Sequence, residues 1–271
     1  MFKNIILFFI FSITLLNGSV IETKIKNIIG NYHHSLHEKL IIHLYKEKNK
    51  FIMNDKISYY NVFSTLRKNG LLNLKLDKPD NIELVFKALN NNKLAFKILN
   101  DTMRSIGYGH IYTKKLEVNK NDLNWNIRFK AEYMTDPVVL IKELQQKNCK
   151  VTNVENRGSN TWYYEIDFVN SVLKEATKID KDEKVKFQKP LQEYFLMVDN
   201  VKQLQVMSRK LNNWYPYISF FDQNLNVLGT IRKNREYEGI RTKIPKSTKY
   251  IKIADSFNLI NIKRGLTVIV R

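Results

Sequence analysis

Residues 82–168 switch repeatedly between two spacings of apolar residues, and this switching limits the possible folds more than any other feature of the chain. An apolar residue at every second position predicts a strand, and one at every third or fourth position predicts an amphipathic helix. The predicted order is strand, helix, two strands, helix, two strands. These elements are Ile82–Phe86, Lys93–Ile106, Tyr108–Val118, Trp125–Tyr133, a helix that starts after Asp136, Lys150–Val154 and Trp162–Phe168.

The second of these helices has the clearest start signal. Asp136 suits the N-cap position, and Pro137 suits the first helical position. Two strand–helix–strand units with one additional strand form the split βαβ, ferredoxin-like pattern. We therefore predict an α+β chain with a ferredoxin-like domain at residues 78–170.

The helical spacing disappears after Gln192. Short β-type runs follow one another, and polar turn sequences such as Asp222-Gln223-Asn224 separate them. Short strands at this spacing are typical of a sandwich. We predict an antiparallel β-sandwich for residues 192–271.

Two further regions complete the predicted organisation. Residues 19–77 show mainly helical spacing, with a break expected at Gly30 and Asn31. Residues 171–191 are rich in charge and end near Pro190. They are interpreted as a charged linker, helical or extended, or equally as a solvated helix of the preceding domain.

The N-terminus has the anatomy of a secretory signal. Lys3 precedes an apolar run from Ile5 to Leu16, and small residues follow at Gly18 and Ser19. The run is shorter than the roughly 20 residues that a spanning helix needs. We expect residues 1–18 to be a signal peptide, with a retained anchor as the alternative. No later run is apolar enough to predict a transmembrane span.

Cysteine content and charge limit which cellular compartment and which classes of partner the sequence favours. The single Cys149 excludes an intramolecular disulfide, which favours a periplasm over the outside medium. The formal net charge of +19 attracts polyanions in general. The basic residues are spread along the chain, so a diffuse solvated charge is favoured over a specific nucleic-acid surface.

The motifs of familiar catalytic sites are missing from the sequence, and no enzyme and no cofactor is predicted. His33 and His37 share a helix face and are weak candidates for metal ligands. The zinc-protease motif that His37-Glu38 would begin needs a histidine where Ile41 stands. Surface or packing roles are therefore favoured for these histidines, and no metal is predicted.

An aromatic cluster opens the predicted sandwich. Trp214, Tyr215 and Tyr217 are candidate ligand-binding residues, because such rings stack on sugars and anchor interfaces. The alternative is that they fill the core. Strand alternation places Tyr215 and Tyr217 on the face opposite Trp214.

Two stretches carry a resemblance to known modules. Tyr217–Gly229 and Lys243–Ile253 resemble the strand and turn pattern of jelly-roll, galactose-binding-like modules. The resemblance implies carbohydrate binding or docking to other proteins, and it transfers no binding residue. The middle region resembles ferredoxin-like periplasmic domains of secretion and pilus platform proteins, and the whole chain is similar in style to exported proteins of epsilon-class proteobacteria.

These observations favour a non-enzymatic periplasmic scaffold or accessory protein of an envelope assembly of the secretion, pilus or flagellar type. Envelope proteins are the expected partners. One alternative is a carbohydrate- or peptidoglycan-binding module that uses the C-terminal sandwich. A hydrolase with a dispersed site is the second alternative.

Overall fold

The computed structural model describes residues 20–120 and 122–271. The chain divides between Val172 and Leu173 into two compact units, called unit 1 and unit 2 here. The predicted signal peptide at residues 1–18 lies outside the described residues. Within the described ranges, no helix has the length and apolar character that crossing a membrane requires.

Unit 1 combines helices with one five-stranded sheet and a small hairpin. Its helices are α1 (residues 20–29), α2 (Asn31–Leu36), α3 (Glu38–Leu44), α4 (Tyr59–Lys68), α5 (Asn92–Ser105) and α6 (Pro137–Gln146). Its strands are β1 (Ile52–Met53), β2 (Lys56–Ile57), β3 (Lys75–Leu89), β4 (Tyr112–Val118), β5 (Asp122–Tyr133), β6 (Lys150–Asn156) and β7 (Thr161–Asp167).

The five-stranded sheet has the order β4-β5-β3-β7-β6 and confirms the split βαβ pattern. Strand β5 lies between β3 and β4 and is antiparallel to both, so β3, α5 and β4 form a split unit. The additional predicted strand is β7. It is parallel to β3 and antiparallel to β6, and it separates the two.

The alternation within β3 explains why the helices cover one side of this sheet. Ile82, Leu84 and Phe86 are completely buried, whereas the residues between them are partly exposed. Helix α6 begins as its sequence predicts, with the Val138 amide donating to Asp136 Oδ1 at 2.9 Å. This contact satisfies one of the amides that a helix start leaves unpaired.

The N-terminal region is helical as far as Leu44 and again in α4, Tyr59–Lys68, and it differs from the predicted helical character between these two parts. The chain breaks after α1 at Gly30, which has a φ of +84°, and again at His37. Residues 52–57 form the β1–β2 hairpin instead of a helix. Asn54 and Asp55 both have positive φ, the conformation that a two-residue hairpin turn requires.

Glu83 lies on the face of β3 opposite its buried residues and binds two cations. Lys114 Nζ donates to its two carboxylate oxygens at 2.6 and 2.8 Å, and Arg128 Nε donates at 3.0 Å. The Lys114 ammonium, and after it the Arg128 guanidinium, lower the pKa of the Glu83 carboxyl below its ordinary value. The ionised form is therefore the one that stabilises the fold.

We expect Glu83→Gln to lower the free energy of unfolding by about 1.5–3 kcal/mol near pH 7, because charge-assisted hydrogen bonds are lost. A lowered pKa contributes stability above the unfolded pKa, and that stability is lost as the pH falls through the folded pKa. Urea unfolding should show that the difference in unfolding free energy between the unaltered chain and Glu83→Gln becomes smaller towards pH 3. Glu117→Gln, which breaks an exposed pair with Lys115, should cost less than about 1 kcal/mol. A Glu83→Gln effect that does not depend on pH would contradict this account.

Cys149 is buried directly before β6, as its interpretation as a small apolar residue requires. Burial raises the pKa of its thiol from 9.0 to about 12. The thiolate is the reactive form, so a shift of this size lowers its population about a thousandfold near pH 8. We expect alkylation by iodoacetamide to be slow in the folded protein and rapid in urea. Rapid labelling without denaturant would contradict the buried position.

Unit 2 consists of two sheets that enclose one core. The strands are β8 (Thr177–Lys178), β9 (Lys184–Lys186), β10 (Tyr194–Met197), β11 (Gln203–Ser208), β12 (Pro216–Phe221), β13 (Val227–Arg232), β14 (Gly239–Lys243), β15 (Tyr250–Asp255) and β16 (Leu266–Val270). The sheet orders are β13-β12-β15-β10-β8 and β14-β11-β16-β9. Ile218 and Ile253 of the first sheet share a core cluster with Val206 and Val268 of the second. The predicted β-sandwich is therefore present, and it is antiparallel except where β8 pairs in parallel with β10.

The stretch predicted as a charged linker, residues 171–191, differs from that prediction. Most of it belongs to unit 2, where β8 pairs with β10 and β9 pairs with β16. Ile179 lies among its charged residues and is only 1% exposed, in the sandwich core. The charges lie on the outer sides of short edge strands, which is where charged side chains protect a sheet edge.

Candidate docking surface

The three aromatic residues predicted to bind a ligand occupy different environments. Trp214 is completely buried in the sandwich core, and its indole Nε1 donates to the Ala254 carbonyl at 2.9 Å. A ring in this position cannot stack on a ligand. The core interpretation is therefore correct for Trp214, and its interpretation as a ligand-stacking residue is wrong.

Tyr215 and Tyr217 are partly exposed, on the face opposite the buried Pro216 and Ile218. Lys252 Nζ lies 5.1 Å from the centre of the Tyr217 ring, and the Arg232 guanidinium lies 5.9 Å from it.

Tyr215 has two neighbours of a different kind. Its hydroxyl donates to Glu236 Oε1 at 3.1 Å, and its ring meets Phe257 edge to face with the ring centres 4.9 Å apart. The hydrogen bond to Glu236 raises the pKa of the Tyr215 hydroxyl. Tyr215 thus belongs to the loops that end the sandwich on this side.

Three loops form that end of unit 2: residues 209–215, 233–238 and 256–265. We call them together the loop end. Backbone bonds join them, since the Asn213 amide donates to the Asn261 carbonyl at 3.0 Å and the Tyr237 amide donates to the Trp214 carbonyl at 2.9 Å. The Arg264 amide also donates to Asn212 Oδ1 at 3.0 Å. The three loops therefore form one continuous surface.

Asp255, the last residue of β15, organises the loop end. Asp255 is 7% exposed, and its carboxylate accepts four hydrogen bonds. The donors are the backbone amides of Tyr215, Phe257 and Asn258 and the side-chain amide of Asn261, at 2.7 to 3.0 Å. A buried carboxylate with this many donors fixes the loops that supply them.

The hydrogen-bonded backbone continues into the one-turn 3-10 helix Leu259–Ile262. Asn258 caps this helix, with its Oδ1 accepting from the Ile260 amide at 2.9 Å. Gly265 follows with a φ of +85°, and an added Cβ would lie 2.0 Å from the Phe187 carbonyl oxygen. Only glycine fits this position, so the backbone that carries the exposed side chains is held closely at both ends.

Large apolar side chains project from this ordered backbone. Leu211 is 75% exposed, and Phe257 and Ile260 are each 65% exposed. They come from two of the three joined loops. Burial of such side chains would be favourable, and their exposure to water leaves that free energy unused. Groups of exposed apolar side chains therefore commonly mark a binding surface.

The loops that carry these apolar side chains, and the third loop joined to them, are rich in cations. The three loops carry six Lys or Arg residues against two acidic residues, Glu236 and Glu238. The six are Arg209, Lys210, Lys233, Arg235, Lys263 and Arg264, and all but the partly exposed Arg209 are exposed. The loop end thus combines apolar contact with a positive field, an arrangement that suits an anionic partner.

The weak metal candidates, His33 and His37, lie in unit 1. Both line a cavity of about 350 Å³ between the N-terminal helices and the end of β6. His37 ends α2, and its amide donates to the His33 carbonyl at 3.2 Å. Within residues 20–120 and 122–271, no group of three or more His, Cys, Asp or Glu side chains is arranged to hold a metal ion.

Comparison with known proteins adds little to this description. No family model matches the chain, and no curated protein matches it. Among solved structures, the chain is similar to the crystal structure of Aeromonas hydrophila PliG, a periplasmic lysozyme inhibitor of g-type lysozyme. The match has 16% identity and covers 36% of this chain and 98% of that chain. Its TM-score of 0.21 is too low for the likeness to bear on fold or function.

Proposed function

We propose that the protein works in the periplasm as a non-enzymatic scaffold or accessory protein of an envelope assembly, and that the loop end is its docking surface. The observation that carries this proposal is the group of exposed apolar side chains, Leu211, Phe257 and Ile260, on loops fixed by Asp255. Fixed loops lose little conformational freedom on binding, so more of the contact energy remains for affinity.

The energy available from this surface supports docking. Burying one large apolar side chain contributes about 1.5–3 kcal/mol, and the loop end offers three of them. The surrounding cations add attraction at a distance and speed encounter with an anionic partner. Together these contributions suit reversible attachment.

Two sequence features support a periplasmic site of action. The predicted signal peptide directs export, although residues 1–18 lie outside the described structure. The single Cys149 permits no intramolecular disulfide, which favours a periplasm over the outside medium. We expect the protein to have envelope proteins as its partners in that assembly.

Photo-crosslinking in the source cell tests this proposal. A photoreactive amino acid in place of Phe257 should give adducts with an envelope component. The same replacement at Val227, which is 62% exposed on β13 at the other end of the sandwich, should give few. Equal labelling from both positions, or no adduct from either, would contradict docking through the loop end.

Tyr217 favours a second candidate function, the binding of an acidic glycan or of peptidoglycan. Its partly exposed ring has Lys252 and Arg232 beside it, so one surface offers both stacking and positive charge. Tyr217→Ala should then reduce retention on a peptidoglycan pellet at low salt, whereas Tyr237→Ala should not. Unchanged retention of both variants would remove this candidate.

A further inference from the structure

We propose that the loop end attaches unit 2 to the surface of an anionic phospholipid bilayer. This inference rests on the proposed docking function and names the chemistry of the partner. The apolar side chains would enter the boundary between head groups and acyl chains, while the cations contact lipid phosphates.

The exposure of the apolar side chains favours a bilayer over a protein. Leu211, Phe257 and Ile260 project into water, with 65 to 75% of each residue exposed. A protein partner would gain binding free energy from each projecting side chain only by supplying a separate fitted pocket for it. A bilayer interface accepts projecting apolar side chains to a depth of about 5–10 Å without a fitted pocket.

The charge pattern favours an anionic bilayer in particular. Lys210 lies next to Leu211 in the chain, and Lys263 and Arg264 follow Ile260 within four residues, so cations flank the apolar side chains. Cations near an anionic membrane surface each strengthen binding about fivefold. The whole of unit 2 carries 20 Lys or Arg residues against 10 Asp or Glu, so its general field also favours approach to such a surface.

The backbone geometry presents Ile260 outward. In the 3-10 helix Leu259–Ile262, Ile262 is completely buried and Leu259 packs partly against the core. Ile260 lies between them and is directed to solvent. The two inward residues anchor the turn, so the outward side chain is held in place for insertion.

Co-sedimentation of the full chain with lipid vesicles tests the inference. Vesicles containing phosphatidylglycerol are compared with vesicles of phosphatidylcholine alone. We expect Phe257→Ser with Ile260→Ser, and separately Lys263→Gln with Arg264→Gln, to lower partitioning onto the anionic vesicles by about tenfold or more. Because residues 1–19 are the same in every variant, differences between variants report on the loop end.

Matched controls come from elsewhere in unit 2. Val227→Ser with Leu228→Ser removes exposed apolar side chains, and Lys243→Gln with Lys246→Gln removes two cations. Both control variants should bind like the unaltered chain. Far-UV circular dichroism confirms that every variant is folded.

Equal partitioning of the unaltered chain onto both kinds of vesicle, or unchanged binding of the loop-end variants, would overturn the lipid inference. If vesicle binding fails while Phe257 still crosslinks to an envelope protein, docking stands and the lipid inference falls. If both experiments fail, the docking proposal falls as well.

Discussion

Trp214→Ala is expected to lower the free energy of unfolding of unit 2 by about 3–5 kcal/mol. The large ring is completely buried, so its removal leaves a cavity between the two sheets. The lost indole donor also leaves the Ala254 carbonyl without this hydrogen bond. Since domains of this size are stable by about 5–15 kcal/mol, much of the stability of unit 2 would be lost. Hydrogen exchange of the β12 and β15 amides measures the change within unit 2.

Tyr217→Ala is the matched control for that prediction. Tyr217 is partly exposed and lies three residues further along the same chain segment. Its replacement should cost about 1 kcal/mol or less, because little buried volume is removed. Similar losses for the two variants would contradict the assignment of Trp214 to the core and Tyr217 to the surface.

Asp255→Ala is expected to have a comparable effect, about 3–5 kcal/mol, and to disorder the loop end. The variant leaves four donors without their acceptor, and each buried unsatisfied group costs about 1–3 kcal/mol. Water that enters the opened loops recovers part of that cost. Hydrogen exchange should show faster exchange at Phe257 and Asn258, and urea unfolding should show the lower stability.

Asp222 supplies the control at the opposite end of the sandwich. Its Oδ1 accepts from the backbone amides of Asn224 and Asn226, each at 2.8 Å, in an exposed hairpin turn. Asp222→Ala should cost about 1 kcal/mol, because water replaces the lost contacts. An Asp255→Ala variant as stable as Asp222→Ala would show that Asp255 does not organise the loop end.

The regular elements of the fold were predictable because their side chains alternate with the spacing of the element. Strand β3 and helix α6 are examples, since apolar spacing and the Asp136-Pro137 start signal agree with the structure. Strands β8 and β9 could not be predicted in this way. They are two and three residues long and highly charged, and pairing with distant strands rather than local sequence determines them.

The candidate site was predicted less well than the fold. The aromatic cluster at residues 214–217 indicated the correct end of the sandwich, yet Trp214 proved to be core. The apolar residues of the loop end were missed because Leu211 lies far along the chain from Phe257 and Ile260, and no regular spacing connects them. Phe257 and Ile260 follow Asp255, and only in the folded chain do backbone bonds join their loop to the loop that carries Leu211. The local signal was the set of apolar residues Phe257, Leu259, Ile260 and Ile262, with Lys263-Arg264 directly after it.

Envelope retention in the source cell tests most directly the claim that the loop end docks the protein. Envelope and soluble fractions are compared for the unaltered chain, for Phe257→Ser with Ile260→Ser, and for the control Val227→Ser with Leu228→Ser. We expect the loop-end variant to move into the soluble fraction, while the unaltered chain and the control stay with the envelope. Retention of the folded loop-end variant at the level of the control would contradict the account.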